Sequence, residues 1–314
     1  MKPQRTLITI VGPTGAGKTA LAVELAERIN GEIVSADSRQ VYRGMDIGTG
    51  KPTPDQLARV PHHLIDRVDP DQSFTLAEYQ SEALAAIEDI FTDGKQPFLV
   101  GGTGLYIRAV AEGLVIPEVP PNPELRAALE ARAVTAGGDA VHAELQQIDP
   151  DAANQIDPRN VRRTIRALEV YQFTGQKFSA LGRVDPPPFA VRRIGLTMPR
   201  AELYRRIDQR VDGMIAHGWL DEVRVLAAKY DWTLPAMSSL GYPQIGAVLR
   251  GEMSLEDAAR IVKTQTHRFV RHQYAWFRPK DPRIEWFDVS RVSTADLIES
   301  VYTTWATAVD QDFD

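Results

Sequence analysis

Residues 6–30 read TLITIVGPTGAGKTALAVELAERIN, and the eight at the centre, GPTGAGKT at 12–19, decide how the rest is read. Gly12, Gly17, Lys18 and Thr19 satisfy the G-x4-G-K-T spacing of a phosphate-binding loop. Glycines let backbone N–H groups converge on phosphate oxygens, and the helix that follows turns its positive end to the same point. Lys18 adds a charge, and Thr19 offers a hydroxyl to Mg²⁺. The loop lies between a short β-branched run and a segment with Leu21, Leu25 and Ile29 four apart, the context the motif requires. It specifies a di- or triphosphate and no particular nucleotide; ATP is one occupant that such a loop admits.

Outward from the loop, strand and helix signals alternate. Asn30-Gly31 reads as a helix stop and EIVSA at 32–36 as a second strand. FTLAEYQSEALAAIEDIF at 74–91 reads as a helix, and PFLVGG at 97–102 as a strand that ends in glycines. Such alternation predicts a parallel sheet with ligands at the C-terminal ends of its strands. The Pro-rich IPEVPPNPEL at 116–125 reads as a joint; helical pattern then runs to about residue 181, and DPPPF at 185–189 closes it. VRRIGLTM at 191–198 reads as a return to the sheet. Helices expected at about 200–216, 219–229, 237–249 and 255–277 complete the chain. The expected organisation is a core over 1–117, a helical insertion over 118–190 and a return to the core over 191–314.

The absence of Cys excludes a disulfide scaffold and a thiolate zinc site. No stretch approaches the ~20 apolar residues of a membrane span, so a cytoplasmic, monomeric protein with no membrane partner is expected. The net charge is −6, but its distribution is uneven. Residues 55–93 hold nine acidic against two basic residues, and residues 260–283 seven basic against one acidic. A chain this dipolar can offer a basic face to a polyanion.

SADSRQVY at 35–42 follows the second strand, so Asp37 is expected beside the phosphate loop. Read alone, Asp37 suits two roles, a general base or a cap of the following turn. Lys51 in GMDIGTGKP at 44–52 is a candidate phosphate contact, or a plain surface lysine. GGTG at 101–104 allows close backbone approach and brings the Thr103 hydroxyl to the same cleft.

Eight blocks in order resemble the bacterial tRNA dimethylallyltransferases, the isopentenyl-diphosphate:tRNA transferases. They are GPTGAGKTALAVELA, VSADSRQVYRGMDIGTGKP, HHLID, LVGGTGLYIRA, RRTIRALEVY, RIDQRVDGMI, LGYPQ and FVRHQYAWFR, and they span nearly the whole chain. The resemblance implies a P-loop nucleotide-kinase-like α/β fold with an all-helical insertion and a helical C-terminal region. It implies transfer of a dimethylallyl group from its diphosphate to N6 of adenosine 37, just 3′ of a tRNA anticodon. Asp37 would be the base and Thr103 would orient the amine. Gly12, Thr14, Gly15, Ala16, Gly17, Lys18 and Thr19 would hold the diphosphate with Mg²⁺, and Arg206 and Arg210 would reach it from its far side. Asp37, Ser38, Arg39, Gln40 and Thr103 would meet the tRNA, as would Arg162, Arg163 and Arg166 in the insertion. The family often carries a basic residue where Pro243 stands, and Arg where His267 and His272 stand.

The last long helix fits an RNA partner. Val262, Phe269 and Trp276 are seven apart and read as an apolar stripe; Arg260, His267, Arg271 and Arg278 fall roughly opposite. The anticodon stem-loop is therefore expected on His267, Arg271 and Arg278. A prenyltransferase acting on AMP or ADP would share the loop, Asp37 and Thr103 but has little use for an insertion or a basic helix. A small-molecule kinase is disfavoured because the resemblance extends far beyond the phosphate loop, and a non-catalytic nucleotide-binding module has no need for the Asp37/Thr103 pair.

Overall fold

The computed structural model describes residues 5–117, 119–181 and 183–310. The first strand, β1 (Thr6–Val11), alternates its apolar side chains between two cores, as the period of a strand requires. Ile8 and Ile10 face one core with Leu21 and Leu25 of α1 (Lys18–Arg28). Leu7 and Val11 face the other. Both faces of the sheet are therefore covered, which explains why β1 reads as a nearly unbroken apolar run and why β2 (Gly31–Ser35) is buried at every position. The helix stop after α1 is Asn30, at φ +51°. Gly31 serves packing instead: a Cβ there would lie 2.5 Å from the Phe98 ring.

Then follow α2 (Pro54–Arg59), the two-residue β3 (His62–His63), α3 (Leu76–Thr92), β4 (Gln96–Val100) and α4 (Gly104–Ala111). Thr75 caps α3 in a reciprocal pair with Glu78. After the insertion the chain returns as β5 (Ala190–Thr197), and ends with β6 (Ile284–Asp288) and α13 (Thr294–Asp310). The six strands are all parallel in the order β3-β2-β4-β1-β5-β6. From β1 the chain crosses over to β2 on one side, while β5 joins on the other. The sheet therefore opens a crevice at the C-terminal end of β1, where residues 12–19 lie.

Two compact units result, 1–111 with 187–314 and Glu112–Pro186. The helical unit holds α5 (Pro123–Ala136), α6 (Gly138–Ile148), α7 (Pro150–Gln155) and α8 (Val161–Thr174) around Leu129, Val141, Leu145, Ile165 and Leu168. Its neck is a pair of antiparallel passes, with Leu114 bridged to Val184 and Asp185 N–H donating to Gly113 O. That pairing puts the compact unit's limits at 112 and 186. The expected boundary residue, 118, lies outside the described residues, as do 1–4 and 311–314 of the expected core.

The C-terminal third holds α9 (Arg200–Ala216), α10 (Trp219–Ala227), α11 (Tyr242–Leu249) and α12 (Leu255–Trp276). The structure departs from the sequence pattern at three points. The third of these helices begins at Tyr242, five residues later than expected, because Gly241 at φ +91° closes a turn before it. The chain does not finish with α12, since β6 and α13 follow; β6 is a half-exposed edge strand, which hides the apolar run that marks a central one. The apolar stripe of α12 runs through Ala258, Val262, Thr266, Val270, Gln273 and Phe277, while Phe269 and Trp276 are exposed. From Ala258 to Val270 the buried positions step by four, which rotates the buried face about 40° per step and carries it away from positions 269 and 276.

Candidate active site

At the C-terminal end of β1 the backbone turns at Gly12, φ +139°, where a Cβ would lie 2.5 Å from the Leu196 carbonyl oxygen. Gly15 and Gly17 also have positive φ, and Ala16 N–H donates to Pro13 O. Gly17 sits at the N-cap of α1 without any side-chain cap, so the first-turn N–H groups face outward. Lys18 Nζ donates to Pro13 O at 2.9 Å. Burial lowers the Lys18 pKa to about 8; Asp37 opposes that fall and Arg210 adds to it. Lys18, Asp37 and Arg210 therefore share one electrostatic field. Thr19 is half-buried in the first turn of α1. Leu203 and Ile207 of α9 pack against Gly15.

The loop after β2 is tied to the loop after β4. Ala36 O accepts from Thr103 N–H, and Thr103 Oγ1 accepts from Ser38 N–H at 3.0 Å. Gly101 allows this closeness: a Cβ there would sit 2.1 Å from Ala36 O. Asp37 Oδ1 accepts from Arg39 N–H at 2.9 Å, so the turn-capping role is present, and the carboxylate keeps its second oxygen for other work. The buried Tyr79 and the stacked Tyr106 ring, centroids 3.6 Å apart, feel the same charge. Burial and then Asp37 are among the causes that raise both phenols.

The remaining expected contacts sort by what already holds them. Arg39 donates to Pro235 O, and Gln40 Nε2 donates to Gly50 O. Arg210 reaches the same carbonyl at 3.4 Å, and burial lowers its pKa while Asp37 raises it. Arg206, one turn earlier, is instead paired with Glu202. Lys51 is not a phosphate contact: its ammonium donates to Tyr42 O, Asp46 and Asp66, and its side chain is 5% exposed. It clamps the 44–51 loop, which Glu222 also grips by accepting from the N–H groups of Asp46, Ile47 and Gly48.

In the helical unit, Arg162 and Arg163 are exposed on α8. Arg166 instead donates to the buried Glu169 at 2.5 Å, beside Arg126. Arg271 on α12 and Arg278, two residues past its end, are exposed, with Arg271 donating to Tyr204 OH. His267 turns inward to α9: its ring stacks on Tyr204, and its Nε2 lies 2.9 Å from Asp208 without hydrogen-bond geometry. The packing of α12 on α9 decides this, since position 267 faces that neighbour.

One residue of the site carries no sequence signal of its own. Gln273, 3% exposed, accepts from Thr14 N–H at 2.8 Å and donates to Gly102 O at 3.2 Å. Drawing the α12 stripe through Val262 and Val270 would have exposed it as a polar residue on a buried face.

The family model described as IPP transferase matches residues 40–280. A tRNA dimethylallyltransferase of Roseiflexus sp. (strain RS-1) is 56% identical over 273 residues, covering 87% of this chain and 90% of that one. The chain belongs to the IPP transferase family. A solved tRNA isopentenylpyrophosphate transferase of Bacillus halodurans superposes with TM-score 0.73 at 40% identity, covering 98% of each chain. A eukaryotic dimethylallyltransferase, solved acting on tRNA, gives TM-score 0.81 at 27% identity over 98% of this chain and 79% of that one. The phosphate loop lies ahead of the segment matched by the IPP transferase model, and the Roseiflexus and Bacillus relatives cover 87% and 98% of this chain. Among the described residues no helix is long and apolar enough to cross a membrane.

Proposed function

We infer that this chain transfers a dimethylallyl group from dimethylallyl diphosphate to N6 of adenosine 37 in tRNA. One observation supports the reading above the others: a diphosphate-type loop, a carboxylate and a hydroxyl meet at one end of the sheet, with Lys18 and Asp37 in one field.

Adenine N6 is a weak nucleophile because its lone pair is delocalised into the ring. In the reading proposed here, the Asp37 carboxylate takes the N6 proton as the N6–C1 bond forms. The C1–O bond breaks, and its electron pair leaves with diphosphate. Thr103 Oγ1 orients the amine. Lys18, Arg210 and the outward N–H groups of the loop receive the charge that builds on the departing oxygens. The allylic carbon carries positive charge well, so a loose transition state suits these groups.

Among the described residues no cluster of three or more His, Asp or Glu is placed to hold a metal. The Thr19 hydroxyl beside a diphosphate still fits Mg²⁺, which keeps its waters and takes few protein ligands. When bound, the ion would neutralise the leaving diphosphate. Arg162 and Arg163 of the helical unit, Arg271 of α12 and Arg278 just beyond it are the exposed cations offered to tRNA phosphates. We place the protein in the cytoplasm as a monomer.

Labelled dimethylallyl diphosphate, Mg²⁺ and unmodified tRNA or AMP test the reading. Label entering tRNA and not AMP is expected. Good prenylation of AMP with none of tRNA overturns it, and ATP-dependent phosphorylation would point to a kinase.

A further inference from the structure

We propose that Gln273 is a positioning residue that braces the diphosphate seat against the acceptor seat, so that the two reactants are held in line. This rests on the transferase reading above and adds to it a residue that touches neither reactant.

The face of α12 on which Gln273 lies is otherwise apolar or self-satisfied. Ala258, Val262 and Val270 are fully buried, and Thr266 returns its hydroxyl to Val262 O. An aliphatic side chain at 273 would continue that face. A buried amide costs about 1–3 kcal/mol when its hydrogen bonds are missing, so its presence calls for partners at both ends. Both partners belong to the site. The amide oxygen takes the N–H of Thr14, in the loop that would hold diphosphate. The amide nitrogen donates to the carbonyl of Gly102, the residue before Thr103.

The fit leaves no slack. A Cβ on Gly102 would lie 2.3 Å from Gln273 Nε2 and 3.8 Å from Lys18 Nζ. One turn along α12, Trp276 covers Gly104 in the same manner, with a hypothetical Cβ 2.3 Å from the indole. The end of α12 thus reads the β4–α4 loop at two points on either side of Thr103. From Gly102 the path continues through Thr103, whose N–H and hydroxyl bond Ala36 and Ser38 on both sides of Asp37. A continuous route of hydrogen bonds and peptide links therefore runs from Thr14 to the proposed base, and Gln273 is the side chain that closes it. Because its amide occupies the Thr14 N–H, that donor is assigned to shape and is withheld from the ligand.

Attack of N6 on C1 depends on alignment, and a displacement near 1 Å costs on the order of 10²-fold in rate. Gln273→Leu should therefore slow single-turnover transfer on the order of 10²-fold, while inorganic diphosphate and tRNA affinities stay within about threefold. Gln273→Glu supplies a second readout. Its protonated acid reproduces the amide, accepting from Thr14 and donating to Gly102, whereas its carboxylate opposes the Gly102 carbonyl. Its rate relative to the unaltered protein should rise as pH falls. Hydrogen exchange adds a measurement that needs no transfer: inorganic diphosphate should slow exchange over residues 101–105, and Gln273→Leu should abolish that slowing. Full transfer rate with a lowered melting temperature in Gln273→Leu overturns the brace, as does unchanged exchange coupling. If the unaltered protein moves no dimethylallyl group to tRNA, the transferase reading falls, and the exchange experiment still decides the brace.

Discussion

Arg166 in the helical unit and Lys18 in the α/β unit are both cations in the field of a carboxylate, but they stand in opposite conditions. Arg166 shares the buried Glu169 with Arg126 at hydrogen-bond distance. Burial works against the charge on Glu169, yet Arg126, the Asn122 N–H and Arg166 outweigh it and hold the pKa down to about 2. Among the described residues Lys18 has only a backbone carbonyl, Pro13 O, as a bonded partner, and Asp37 acts on it through space. A cation bonded to a buried carboxylate is committed to the fold. One held by a carbonyl beside a glycine loop keeps its charge for an incoming anion. The same contrast separates Lys51, bonded to Tyr42 O, Asp46 and Asp66, from Arg210, which among the described residues meets the Gly50 carbonyl at 3.4 Å.

The sharpest way to break this contrast is to remove the charge with the largest expected effect. Asp37→Ala should lower the transfer rate by roughly 10²–10⁴-fold, the range of general-base catalysis, with inorganic diphosphate affinity near normal. A loss of folding in place of rate, read by thermal melting, would make Asp37 a cap of its turn and nothing more. On the committed side, Glu169→Gln should cost about 2 kcal/mol of stability, a figure discounted because its arginines are about a third exposed. The sign follows from a lowered folded pKa. This contribution is full above the ordinary value of 4.5 and is lost as pH falls from there towards about 2. Acid melting of the variant should therefore be flatter than that of the unaltered protein over that window.

Lys18 predicts a binding effect. In the free protein its pKa is lowered to about 8, and a bound polyanion favours the charged form. Affinity for inorganic diphosphate should be level below that pH and weaken above it, by up to about tenfold per pH unit. Lys18→Arg should remove this step, since guanidinium stays charged; calorimetry across pH 7 to about 9 reads both. The smallest effect separates two arginines on one helix. Arg162→Ala should reduce the salt slope of tRNA binding by about one, while Arg166→Ala should leave the slope and lower the melting temperature. Equal slopes for the two would erase the distinction between committed and available cations.

Much of the core was legible because its signals are local. The phosphate loop needs glycines at fixed spacing, and β1 and α1 flank it with the periods of a strand and a helix. Asp37 and Thr103 could be placed from their position after strands, since a parallel sheet gathers those ends. Edge elements were harder to read. The half-exposed β6 lacks a continuous apolar run, and α13 follows it unannounced. In α12 the seven-residue spacing drew the stripe through Phe269 and Trp276, whereas the packed face steps by four from Ala258 to Val270 and takes in Gln273.

The sequence by itself determined the chemistry on offer: a polyphosphate loop, a carboxylate and a hydroxyl after successive strands, and a helical insertion between Pro-rich joints. Only the tertiary structure decided which charged and polar groups remain available. Arg166, His267, Arg206 and Lys51 resemble Arg162, Arg271 and Lys18 along the chain, and they differ in the carboxylate or ring that packing brings to them. Gln273 joined the site for the same reason. Hydrogen-bond partners hundreds of positions apart, 259 for Thr14 and 171 for Gly102, are chosen by how helices cross the sheet, and no local pattern records that choice.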